Sequence, residues 1–186
     1  MLRLPVSLGE AIDKMTILEI KYAKINNEQK RNQVNKEFAI LQNELEPYLK
    51  KCARHYRQLL KINQELWNLE EEIRTELGVE ECAKVALQII AENDSRFRTK
   101  DKINKLLSSE LKEQKAYVFE SVKEISFDEL AHKHNWNADN IIDDILDSSV
   151  RNNSVKIIYK DLSEDYKTVY NSVRSFFNYD DSVMFC

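Results

Sequence analysis

The chain has 186 residues, 42% hydrophobic and 32% charged, with two glycines, two prolines and a net charge of −4. P-loops and dinucleotide-type turns need several closely spaced glycines, so this glycine supply excludes both. The charge argues against a nucleic-acid footprint: residues 118–186 carry 7 Lys+Arg and 13 Asp+Glu, a net of −6, and the other 21 basic and 19 acidic residues leave the rest at only +2.

The first segment, "LRLPV" (2–6), reads as short and extended, with Pro5 tolerated at an edge. "SLGE" then gives a capping box of Ser7 with Glu10, opening a helix over roughly 8–25. Leu8, Ala11, Met15, Leu18 and Tyr22 share one face, and Ile17 and Ile20 lie opposite, as in a helix sandwiched between neighbours. Glu19 falls inside the main apolar face. A second helix is expected over 27–45, with Val34, Phe38, Leu41 and Leu45 at heptad spacing. Pro47 should interrupt it and sit in the first turn of a third helix, 48–77. Along that third helix Leu49, Cys52, Tyr56, Leu59, Leu66 and Ile73 step by three and four, a coiled-coil-like seam that also contains Asn63 and Glu70. Gly78 reads as its C-terminal stop. A fourth helix, 80–116, has an apolar arc of Ile89, Ile90, Phe97, Ile103 and Leu107.

After residue 118 the pattern changes. "SFDE" gives a second capping box, Ser126 with Glu129, followed by short helices at 127–134 and 138–148. "VKIIY" (155–159) fits a strand or the start of another helix. Residues 163–178 read as helix, with Leu162, Tyr166, Val169, Val173 and Phe177 in period. The aromatic end, "FFNYDDSVMFC", is expected to dock onto the body or a partner. The expected fold is mainly α: an antiparallel helical bundle with long coiled-coil-like hairpin helices over 2–117, and a small acidic, mainly helical C-terminal extension over 118–186.

Helical projection places polar residues where apolar ones belong. Asn93, Arg96, Lys100 and Asn104 fall inside the apolar arc of the fourth helix, whereas Asp94, Arg98, Asp101, Lys102 and Lys105 project outward. With Glu19, Asn63 and Glu70 they form an inward polar set on three helices. Unpaired buried charges cost several kcal/mol each, so two readings follow. The carboxylates Glu19 and Glu70 neutralise Arg96 and Lys100 in a network that fixes helix register. Alternatively, Arg96 and Lys100 line an open pocket and hold an anion such as a phosphate or nucleotide-sugar.

Four stretches, "IDKMTILEIK" (12–21), "NQELWNLEEEIR" (63–74), "NDSRFRTKDKIN" (93–104) and "EQKAY" (113–117), resemble motif blocks of an uncharacterised, mainly bacterial family, domain of unknown function 6165. The resemblance spans residues 2–117, in order and with similar spacing. It implies a small helical protein with no established activity. The family pattern falls on Asp13, Lys14, Glu19, Asn63, Trp67, Glu70 and Arg74, then on Asn93, Asp94, Arg96, Lys100, Asn104, Glu113, Lys115 and Tyr117. It includes every inward polar residue found by periodicity. The chain departs from it at Glu71, Gln114 and Ala116.

Other candidates carry less. "DELAHKHNWNADNIIDDIL" (128–146) has a helix-turn-helix outline, but its second helix presents Asp139, Asp143, Asp144 and Asp147, which phosphate would repel. His132 and His134 cannot aim both rings at one metal from a helix; a surface pair of Asp128 with His132 is the plainer reading. His55 reads as structural. Glu70, Glu71 and Glu72 diverge on a helix, so converging hydrolytic carboxylates have no support. Trp67 reads as a core anchor or a stacking wall. Cys52, Cys82 and Cys186 show neither metal spacing nor an even-numbered framework. The start lacks a signal peptide's apolar run, and no stretch reaches a membrane span. These features lead us to expect a cytoplasmic protein without cofactor, metal, nucleic acid or membrane. A non-enzymatic interaction or assembly protein, homo-oligomeric or with a protein partner, is the first functional expectation. An anion-binding protein or small enzyme is the second.

Overall fold

A computed structural model describes residues 4–114, 121–159 and 164–186. It is mainly helical and divides into two compact units, Met1–Gln114 and Lys115–Cys186.

The first unit holds α1 (Leu8–Lys24), α2 (Glu28–Leu49), α3 (Ala53–Glu72) and α4 (Val79–Leu106). α1 packs on all three others, and α3 packs on α4. That explains its two apolar sides: Ile12, Met15, Leu18 and Ile20 are all buried. Ile12 and Met15 join Leu45, Cys52, Leu59 and Ile103 in one core. Ser7 caps α1, its Oγ accepting from the Glu10 N–H at 3.2 Å. The reciprocal half of the expected box is replaced, because the Glu10 carboxylate reaches Lys100 instead.

Three helix limits differ from the periodicity reading. α2 runs through Pro47 to Leu49. Proline removes one donor, and so close to the helix end few bonds lie beyond it to be disturbed. The break comes afterwards, where Lys51 and Cys52 both donate to the Tyr48 carbonyl. α3 stops at Glu72 and gives way to tight turns, so Gly78 is not its terminator. Gly78 instead caps the start of α4 at φ −63°, its N–H donating to Glu81 Oε2 at 3.2 Å. α4 ends at Leu106 rather than near 116: Ser108 turns left-handed at φ 52°, and the Ser109 N–H bonds back to the Asn104 carbonyl at 2.8 Å.

The second unit holds β1 (Val122–Ser126), α5 (Phe127–Lys133), α6 (Ala138–Arg151), β2 (Ser154–Ile158), α7 (Glu164–Phe176) and β3 (Val183–Phe185). The strands form a parallel sheet in the order β1-β2-β3, with Val122 opposite Ser154 and Val155 opposite Val183. The extension is thus mainly helical, as expected, and of the two readings of "VKIIY" the strand is the one found; the strands on either side of it were not expected. Scarce glycine does not forbid such a sheet, since parallel strands are joined by helical crossovers rather than tight hairpins. "VKIIY" supplies the central strand, and the aromatic end supplies an edge strand. Val155 and Ile157 alternate inward and meet Phe127, Ile141, Ile145 and Val173 in one core. Between α5 and α6 the chain turns through left-handed Asn135 and Trp136, and the Trp136 ring stacks on Tyr166 at 3.7 Å. Leu162 lies outside the described residues.

Candidate functional site

α4 carries Arg96, Lys100 and Asn104 at four-residue spacing, so they share one face. Each meets the first half of α1. Arg96 Nε donates to both Asp13 oxygens at 3.0 Å, and its Nη2 donates to Oδ2 at 2.5 Å. Asn63 of α3 joins them, its Nδ2 donating to Asp13 Oδ1 at 2.7 Å and Thr16 Oγ1 at 2.8 Å. Lys100 Nζ lies 2.8 Å from Glu10 Oε2 and 2.6 Å from Glu113 Oε2. Asn104 Oδ1 accepts from the Gly9 N–H at 2.7 Å. Gly9 is required by this approach: a Cβ there would stand 2.5 Å from the Lys100 carbonyl oxygen.

The cluster is closed electrostatically. Burial works against the charge of Arg96, but the hydrogen bonds and charge of Asp13 more than reverse it and raise its pKa. Burial likewise opposes the Lys100 ammonium, and Glu10 and Glu113 raise its pKa. Two cations face three carboxylates, so the cluster has no spare positive charge for an anion.

The expected counter-charges therefore have other places. Glu70 sits with Arg74, four residues on and in the turns just past the end of α3, at 2.7 Å. Glu19 accepts a hydrogen bond from the Tyr56 hydroxyl, whose pKa burial and then Glu19 push up. Asn93, projected inward, is exposed and donates to the Ile89 carbonyl of its own helix at 2.9 Å. Lys102, projected outward, is buried, as are Ser95 and Thr99. Projection assigns a side of a helix, not how far along it a neighbour covers that side. The partners it missed, Glu10 and Asp13, had a signal. Asp13 shares its face with Ile17 and Ile20, the second apolar side of α1, so it was itself an inward charge.

Beside the cluster, Ile17, Ile20, Asn63, Trp67, Glu70 and Arg96 help line a cleft of about 430 Å³. The Trp67 Nε1 is itself buried from solvent and has no hydrogen-bond partner among the described residues. Lys115 and Tyr117 of the resemblance lie outside the described residues. In the second unit His134 Nε2 lies 2.7 Å from Asp144 Oδ2, which Lys133 also reaches at 2.7 Å, while His132 lies edge-on to Trp136 at 5.3 Å. His55, on α3, is buried. Among the described residues no group of three or more His, Cys, Asp or Glu could hold a metal. No helix among them is long and apolar enough to cross a membrane. No family model, curated protein or solved structure matches this chain.

Proposed function

We propose that the protein is a non-enzymatic helical interaction or assembly protein, cytoplasmic and self-associating or joined to a protein partner. Its first unit is then an antiparallel, coiled-coil-like bundle whose internal polar network sets the register of α1 against α4. We also propose that this unit belongs with the domain of unknown function 6165 family, on the strength of its four sequence blocks. The reading rests on one observation: Arg96 and Lys100, the cations best suited to an anion, already carry Asp13, Glu10 and Glu113. Buried polar groups of this kind are best attested as register devices.

Two measurements test it. Sedimentation velocity over a range of protein concentrations should reveal self-association; a monomer throughout leaves only the partner form of the proposal. A thermal-shift screen of phosphates, nucleotides and sugar nucleotides should give no saturable stabilisation. A ligand at 100 times its dissociation constant would add about 2.7 kcal/mol, and such a result would replace this reading with the anion-binding one. The place for the second reading is the cleft beside Arg96 and Asn63, which Trp67 helps line.

A further inference from the structure

On another side of α1, a second cleft of about 590 Å³ is bounded by α1, α2 and α3. Its size is within the range of small-molecule sites, roughly 300–1,000 Å³. Three aromatic rings line it, one from each helix: Tyr22, Phe38 and Tyr56. Glu19 lines it too, half-buried, with the Tyr56 hydroxyl donating to its carboxylate. Glu10, Asp13 and Glu113 each have a cationic partner; the contact shown for Glu19 is this neutral hydroxyl. The ring of Tyr22 already receives a cation, the Arg31 guanidinium, 5.8 Å from its centroid.

We propose that this cleft binds a small organic cation of the alkylammonium class. The charge lies toward Glu19, and the alkyl groups lie against Tyr22, Phe38 and Tyr56. Aromatic faces attract cations through their quadrupole, and weakly hydrated alkylated ammonium ions give up little solvation to enter such a cage. A bare divalent ion would require several oxygen ligands, whereas Glu19 is the one carboxylate of this lining and its two amides, Asn35 and Gln42, are exposed. Two cations oppose the ligand: Arg57, an exposed lining residue, and Arg31, which already lies over the Tyr22 ring.

Isothermal titration calorimetry on the full chain with tetramethylammonium chloride tests the proposal. Controls are sodium chloride at matched ionic strength and tert-butanol, a neutral molecule of similar shape. Tetramethylammonium should bind saturably and the controls should not. Glu19→Gln keeps an acceptor for the Tyr56 hydroxyl and should weaken binding about tenfold. Phe38→Leu should also weaken it, whereas Arg57→Gln should tighten it a few-fold. Absence of saturable binding to the wild type overturns the proposal, as does equal binding of tert-butanol. An unchanged affinity in Glu19→Gln does the same. If that variant does not fold, Arg57→Gln decides, because its side chain is exposed: unchanged or weaker binding overturns the proposal.

Discussion

Replacing Asp13 by alanine would remove the acceptor of three Arg96 bonds and one Asn63 bond at once. Breaking a buried ion pair from one side costs about 3–5 kcal/mol, because the partner's charge stays behind. The Asp13 side chain is 1% exposed, but that of Arg96 is 27% exposed, so water can recover part of the guanidinium's solvation. The expected loss is therefore at the lower end, about 3 kcal/mol. Two units make whole-chain melting an ambiguous readout. Urea unfolding should instead be followed in a Trp136→Phe background, which leaves Trp67 as the single tryptophan, in the first unit. Adding Arg96→Met to Asp13→Leu should recover much of the loss, since apolar pairs of similar size often replace buried ion pairs without penalty. A loss below about 0.5 kcal/mol, the level of a surface substitution, would refute the network. So would strict additivity of the two changes, because residues in contact should couple.

Gly9→Ala should destabilise the first unit by about 1–3 kcal/mol, the cost of overpacking. The new methyl meets the Lys100 backbone oxygen rather than a movable side chain; a gain in urea midpoint would refute that close approach. Glu70→Ala should cost only about 0.3–0.5 kcal/mol by the same assay, as for a solvent-exposed ion pair. In maleimide labelling near neutral pH, exposed Cys186 should react at once and Cys52 only after denaturation, because burial pushes the Cys52 thiol up to about 11. The raised value means that Cys52 favours the fold below the ordinary thiol range and loses that contribution as pH rises toward about 11. Burial opposes ionisation of Asp144, but Lys133 and His134 more than offset it and hold its pKa below the ordinary carboxylate value. Its contribution is thus present above that range and lost as pH falls through the depressed value. Asp144→Asn should flatten this acid dependence, read from Trp136 fluorescence in a Trp67→Phe background.

The residues of the polar cluster were partly legible because helical period exposes a charge on the wrong side of a helix. Arg96, Lys100, Asn104 and Asn63 are buried or half-buried in the structure. Asn93 had the same spacing but is exposed. The small parallel sheet was less legible. "VKIIY" has the composition of a strand, but β1 carries Lys123 and Glu124, and β3 is only three residues long in a segment whose aromatic residues suit docking in any conformation. Their partners are far apart in sequence, with Val122 opposite Ser154 and Val155 opposite Val183, so no local turn announces the pairing.

Residue order sufficed for the mainly helical character of residues 8–106, the two apolar sides of α1 and the exclusion of glycine-dependent phosphate loops. Those are local properties: propensity, period and composition act within a few turns of chain. Tertiary structure alone decided which carboxylates meet Arg96 and Lys100. Asp13 and Arg96 lie 83 residues apart, and Glu10 and Lys100 lie 90 apart. Charge sign allows many pairings, so the choice fell to the approach of α1 on α4. That approach depends on Gly9, where the absence of a side chain lets the two backbones come close enough for Glu10, Asp13 and the cations of α4 to meet.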